Sequence, residues 1–327
     1  ADLDLQDMMD DRNYFIHMKD IQIMSRLSEG AYGVVYKGQW KSNLVAVKKM
    51  KVADDKSFLK EISILQNLRH PNIIYLYGYS SNDNGDKFFI AEFAAQGSLD
   101  KCLYGREPLR DFNKKLHMLT QVADAMKYLH TRSPPIAHRD LKPQNILIDE
   151  KGMVRICDFG VSKMADSSFT VGVSYGTVEY CAPELLLQQG HDERCDIYSF
   201  GILMHEVFVL AHPYVAHESS MSVISLSLQV MNGLRPQLPF DDEEEETSSS
   251  SSSNSHSHSN FVLTPTEAKQ FFERGNDWNS NCDSWDIVSV VRDYYRLAIQ
   301  CWHADPACRP SFEEVVSRLE DLARTIT

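Results

Sequence analysis

The stretch His138-Arg139-Asp140-Leu141-Lys142-Pro143-Gln144-Asn145 decides how this 327-residue chain is read. A carboxylate, an ammonium and a carboxamide fall within six residues, on a loop between apolar segments. That trio suits the movement of a phosphoryl group onto a hydroxyl. Asp140 would accept the hydroxyl proton, Lys142 would set positive charge beside the phosphoryl oxygens, and Asn145 would offer Mg²⁺ an oxygen ligand. Leu147 follows as an apolar floor for a nucleotide base.

Outward from this loop, Asp158-Phe159-Gly160 lies thirteen residues after Asn145, behind the apolar strand 154–157. Asp158 offers a second hard oxygen to a metal that bridges phosphates, and Gly160 lets the backbone turn away. Ala182-Pro183-Glu184 ends the set, twenty-six residues beyond Asp158.

Upstream, Leu27 to Val35 reads as two strands around a glycine turn, in which Gly30 and Gly33 let backbone N–H groups approach phosphate oxygens. Ser28 stands where a full GxGxxG would begin, and alone the hairpin is a weak signal. In Val45-Ala46-Val47-Lys48, alternation puts Ala46 and Lys48 on one face, with a small residue under a base and an ammonium near its phosphates. Residues 56–69 change to helical spacing, with Phe58, Ile62 and Leu65 forming a stripe. Glu61 projects beside that stripe. It either faces inward, where it needs a cation such as Lys48, or reaches solvent.

These motifs, in this order and spacing, resemble the eukaryotic protein kinase family over about residues 21–325. The resemblance implies an α+β, bilobal protein-kinase-like fold. It has a small antiparallel β-sheet lobe with one helix (21–91) and a larger, mainly helical lobe (92–325), after a flexible acidic lead-in (1–20). It implies ATP and Mg²⁺ as cofactors. Asp140, Lys142, Lys48 and Glu61 would be catalytic, and Asn145 and Asp158 would hold the metal. Leu27, Gly30, Gly33, Val35, Ala46, Lys48, Ala91, Glu92, Ala94 and Leu147 would line the nucleotide site, with 92–94 as the hinge that bonds adenine. Asp196 would brace the His138-Arg139 backbone, and Glu184 would pair with Arg309.

Lys142 and Gly176-Thr177 resemble Ser/Thr kinases, whereas Cys301-Trp302 through Arg309-Pro310-Ser311-Phe312 resembles the tyrosine-kinase-like group. The expectation is a Ser/Thr member of that group acting on protein substrates, with dual specificity as the alternative. A scaffold that binds ATP without transfer is the rival from another class, and the presence of Lys48, Glu61, Asp140, Asn145 and Asp158 speaks against it. A small-molecule kinase is a further rival, but 176–184 resembles the segment that seats a peptide. Arg139 before Asp140 implies activation by an upstream kinase or by trans-autophosphorylation among Ser167, Ser168, Thr170 and Ser174. Ala91, where the family usually carries a larger side chain, implies a deep pocket behind the adenine that would admit bulky purine analogues.

The net charge is −13, yet Asp2, Asp4, Asp7, Asp10, Asp11 and the run 241–246 account for most of it. Without those eleven carboxylates it is about −2. No basic face remains for a nucleic acid. Seven cysteines with no CxxC pair fit a reducing compartment, so a cytoplasmic location is expected. No apolar run is long enough to span a membrane. Residues 241–260, DDEEEETSSSSSSNSHSHSN, bury almost nothing apolar and read as a disordered insert, either a tolerated surface insertion or a docking segment phosphorylated at 248–253.

Overall fold

The computed structural model describes residues 14–30, 33–51, 55–158, 178–189, 192–215, 221–238 and 284–326. The expectations for Phe159, Gly160, the four candidate phosphorylation sites, Gly176-Thr177 and the 241–260 insert lie outside the described residues, as does the side chain of Glu61.

The alternating segment folds into antiparallel strands β1 (Ile21–Gly30), β2 (Gly33–Trp40) and β3 (Asn43–Met50). With β4 (Leu76–Ser81) and β5 (Lys87–Glu92) they form a five-stranded sheet ordered β1-β2-β3-β5-β4. Period-2 alternation sorts its faces. Val45, Val47, Phe88 and Ile90 point into a small core with Ile16 and Ile21. Ala46, Lys48, Phe89 and Ala91 point the other way, towards helix α1 (Asp55–Leu65) and the cleft.

Two boundaries differ from the sequence pattern. Helix α1 stops at Leu65 rather than 69, because i→i+3 bonds tighten the chain at Asn67 and Leu68 and the Asn67 side chain donates to the Ser63 carbonyl at 2.7 Å. The acidic lead-in, read as lying outside the core, contributes Ile16 to it. Its backbone bonds the exposed edge of β4 through Ile16 N–H to Tyr79 O at 2.8 Å. An edge strand presents unpaired backbone groups, and this segment satisfies some of them.

Below the sheet lie α2 (Leu99–Tyr104), α3 (Phe112–His130), α4 (Pro183–Leu186), α5 (Arg194–Val209), α6 (Val223–Met231), α7 (Ser284–Cys301) and α8 (Phe312–Thr325). A small sheet, β6 (Gly97–Ser98), β7 (Ile146–Ile148) and β8 (Val154–Ile156), lies among them. Side-chain caps start three of these helices: Asp111 accepts from Lys114 N–H, Ser222 from Ser225 N–H and Ser311 from Glu314 N–H. Helix α5, apolar on nearly all sides in sequence, is buried from Cys195 to Phe208 and forms the axis of the helical half. The fold is α+β and bilobal, as expected. No helix among the described residues is long and apolar enough to cross a membrane.

Candidate active site

The decisive loop is built around a buried carboxylate. Asp196, in the first turn of α5, accepts the backbone N–H of His138 at 2.8 Å and of Arg139 at 2.7 Å, and meets His130 Nε2 at 2.9 Å. Burial pushes its carboxyl up. The His130 hydrogen bond, the charge of His130 and the Arg139 N–H outweigh that and hold it below the usual carboxylate range. This is the bracing role implied by the resemblance. Burial keeps His138 below the usual imidazole range, hence neutral. Its Nε2 lies 3.0 Å from the Cys157 carbonyl and its Nδ1 accepts Asp140 N–H at 3.2 Å, which sets the tautomer with the proton on Nε2. Arg139 (φ 63°) and Asp158 (φ 58°) both occupy the left-handed region, at a cost of about 1–3 kcal/mol each that the surrounding bonds must offset.

Into this frame the catalytic candidates are set at short range. Lys142 Nζ donates to Asp140 Oδ1 at 3.1 Å, and Asn145 Nδ2 donates to Asp140 Oδ2 at 3.0 Å and to its carbonyl at 2.7 Å. Pro143 opens the short 3₁₀ turn Pro143–Asn145 that brings Asn145 back to Asp140. Lys48 on β3 reaches across 110 residues to Asp158 Oδ1 at 2.6 Å. The partner described for Lys48 is thus Asp158, whereas the expected partner Glu61 sits on α1 with its side chain outside the described residues.

The donor set fits a hard cation. Asn145 commits its amide nitrogen to Asp140, which leaves Oδ1 as the ligating atom, and Asp158 supplies carboxylate oxygens. Both stand near the ammonium of Lys48 or Lys142 that phosphate oxygens would meet. At the glycine hairpin the two glycines differ. A Cβ on Gly30 would meet nothing within 4 Å, so open space lies over it. A Cβ on Gly33 would lie 2.1 Å from the Lys49 carbonyl oxygen, so Gly33 is demanded by the closeness of β2 and β3. Leu27 falls at a break in the β1–β2 register, the kind of irregularity that re-aims a side chain, and is among the exposed large apolar residues.

Ala46 pairs with Ala91 across β3 and β5, and Val35 pairs with Lys48 across β2 and β3. Two small residues thus face each other where the base was expected. The carboxylate of Glu92 is engaged with Arg155 Nε at 3.2 Å and Tyr75 N–H at 2.9 Å, and its backbone N–H donates to the Tyr75 carbonyl at 2.9 Å. Ala94 is buried after β5, and Leu147 is half-buried between the buried Ile146 and Ile148. Far from the cleft, Arg309 holds Glu184 with two bonds of 2.6 and 2.9 Å, as the resemblance implied.

Sequence reasoning missed two braces. Asn72 donates to Gln121 Oε1 at 2.9 Å and to the Val154 carbonyl at 3.1 Å, and Gln121 Oε1 also accepts Val154 N–H at 2.9 Å. Arg155 ties Glu92 to Asp149, the latter at 2.9 Å. The only sequence signal is Gln121 within an apolar helix face and Arg155 within an apolar strand.

The family model of the protein kinase domain matches residues 21–319. The chain belongs to the protein kinase domain family. Among curated relatives it is similar to a probable serine/threonine-protein kinase, SIS8, of Arabidopsis thaliana (37% identical, over 94% of this chain and 26% of the relative). Others are serine/threonine-protein kinase CTR1 of the same plant (35%, over 67% and 28%) and mitogen-activated protein kinase kinase kinase 7 of Drosophila melanogaster (34%, over 68% and 33%). The kinase domain spans about a third or less of the length of these relatives.

Proposed function

We propose that this kinase domain transfers the γ-phosphate of Mg-ATP to Ser or Thr hydroxyls of protein substrates, as a Ser/Thr member of the tyrosine-kinase-like group in intracellular signalling. One observation carries the reading: Asp140 is held between Lys142 and Asn145 on a loop braced by Asp196, with Lys48 and Asp158 paired in the same cleft. Residues 21–91 act as the small lobe and 92–325 as the large one.

Each residue has a task in this scheme. Leu27, Val35, Ala46, Ala91 and Leu147 enclose the base, and the main chain at Glu92 and Ala94 bonds its edge. Gly30 leaves room for phosphates under the hairpin. Lys48, oriented by Glu61, would hold phosphate oxygens, and Asn145 and Asp158 would hold Mg²⁺, which would supply neutralising charge to the transferring group. Asp140 orients the substrate hydroxyl and accepts its proton as the new O–P bond forms. Lys142 offsets the charge on the phosphoryl oxygens while the bond to ADP breaks. Arg139 Nε is buried with no hydrogen-bond partner among the described residues. A phosphate on Ser167, Ser168, Thr170 or Ser174 is the anion this reading supplies for it.

The test is transfer of labelled γ-phosphate to a generic protein substrate, with identification of the labelled amino acid. Wild type should yield phosphoserine or phosphothreonine, and Asp140→Asn should lower kcat by about 10²–10⁴-fold. Mg-ATP binding without transfer, in a sample phosphorylated beforehand, would move the assignment to a scaffold.

A further inference from the structure

The lead-in segment Tyr14–Ile16 does more than cover a sheet edge. Phe15 bridges Tyr79 on β4 in parallel register, and its ring meets the Tyr79 ring edge-on at 5.5 Å. Tyr79 in turn meets Phe58 of α1 edge-on at 6.0 Å, and Phe58 stacks on Phe89 at 4.8 Å. Phe89 is the β5 partner of Lys48 on β3. A continuous line of rings therefore runs from the lead-in, through the helix that bears Glu61, to the strand position opposite Lys48.

A second line fixes the far end of the same helix. Arg69, four residues beyond α1, donates from Nη2 to Tyr14 Oη at 3.3 Å. Its backbone N–H donates to Tyr128 Oη on α3 at 3.1 Å. The closeness of the segment to β4 is built into the sequence. A Cβ on Gly78 would lie 2.1 Å from the Tyr14 carbonyl oxygen, so any larger residue there pushes the segment away.

We propose that Tyr14–Ile16 is a positioning strap, with Phe15 its key residue, that holds α1 in the place where Glu61 can orient Lys48 for transfer. The inference rests on the roles given above to Lys48 and Glu61. Phe58, Leu59 and Ile62 bury α1 in the core shared with the helical half, so its position depends on what these side chains pack on. The strap supplies the outermost ring of that packing and a hydrogen bond at the helix's end.

The test uses the full chain with Phe15→Ala, the conservative Phe15→Tyr, and Gly78→Ala, which displaces the strap without removing a ring. Two quantities are read: steady-state kinetics, and hydrogen exchange of amides 58–65 in α1 against those of α5. Expected for Phe15→Ala and Gly78→Ala is a fall in kcat of roughly tenfold, with KM for ATP changed less than about threefold. Protection of α1 should be lost while that of α5 is kept, and Phe15→Tyr should behave as wild type. The proposal is overturned if kcat stays within about twofold of wild type, if α1 keeps its protection, or if α5 loses protection to the same degree, since that marks general destabilisation. Should wild type itself transfer no phosphate, the kinase roles fail separately, and exchange alone decides whether the strap holds α1.

Discussion

Glu206, fully buried near the end of α5, accepts Tyr104 Oη at 2.5 Å and Tyr180 Oη on its other oxygen, with His212 stacked on Tyr104 nearby. Burial pushes its carboxyl up to about 7; the two hydroxyls pull it down, and the charges of Glu179 and Asp100 add to the rise. A folded pKa above the unfolded value means the fold prefers the protonated form. Its contribution is complete below about 4.5 and is lost as pH rises through about 7. The adjacent His205, whose Nδ1 has no partner among the described residues, is pushed down by burial to about 4. It acts in the opposite sense, contributing above 6.5 and losing that contribution as pH falls through about 4. Glu206→Gln leaves the His205 contribution in place, so the two can be separated. The Tm of the variant minus that of wild type should rise steadily from pH 4.5 to 7 and then level off, whereas a difference that is flat with pH would exclude the assignment. None of this was legible in the sequence, where Glu206 is one carboxylate in an apolar helix. The Asp140 loop was legible, because its three candidate side chains lie within six residues and need no tertiary contact to be recognised.

At the scale of elements, α5 shows what a periodic pattern can and cannot say. An all-round apolar stretch is what a helix at the centre of a lobe requires, and burial from Cys195 to Phe208 matches it. Which helix it crosses, and how closely, depends on long-range packing that periodicity does not encode. Gly201 records the answer: a Cβ there would lie 2.8 Å from Cys301 Cβ, 2.9 Å from the Ala298 carbonyl oxygen and 3.0 Å from Trp302 N on or just after α7. Two effects oppose in Gly201→Ala. Helix propensity favours alanine by about 1 kcal/mol. Overpacking costs about 1–3 kcal/mol, and because two of the three contacts are backbone, α7 must shift as a body. Overpacking should win, with a lower urea midpoint at an unchanged m-value; a midpoint equal to or above that of wild type would show that α7 yields freely. The strand pattern likewise sorted Val45 and Val47 from Ala46 and Lys48, yet gave no sign that residues 14–16 would join the edge of β4. A single short bridge leaves too little period-2 signal to read.

For the molecule as a whole, the division into a sheet half and a helical half is the one the family resemblance implied, but the packing does not divide at the same place. The sheet owns a small core of Ile16, Ile21, Val45, Val47, Phe88 and Ile90, while Phe58, Ile62 and Phe89 belong to one core continuous with the helices below. Chain connections reinforce the junction: Ile73 bridges Ile156 of β8, and Asn72 reaches both β8 and α3. A ligand seated between β3 and the Asp140 loop therefore touches residues whose relative placement exists only in the folded state. By mass action, Mg-ATP at about 100 times its Kd should add about 2.7 kcal/mol to the unfolding free energy. For a chain of 327 residues that is a rise in Tm of roughly 4 °C. The metal's share is separable, because in the proposed scheme Asn145 and Asp158 would contribute oxygen to it and Lys48 charge to the phosphates. Replacing Mg²⁺ by EDTA, or making Asp158→Asn, should shrink the ATP-induced shift well below the wild-type value in Mg²⁺. An undiminished shift in both cases would mean that ATP binds without the metal at Asn145 and Asp158, and the transfer chemistry assigned to this cleft would lose its charge-neutralising partner.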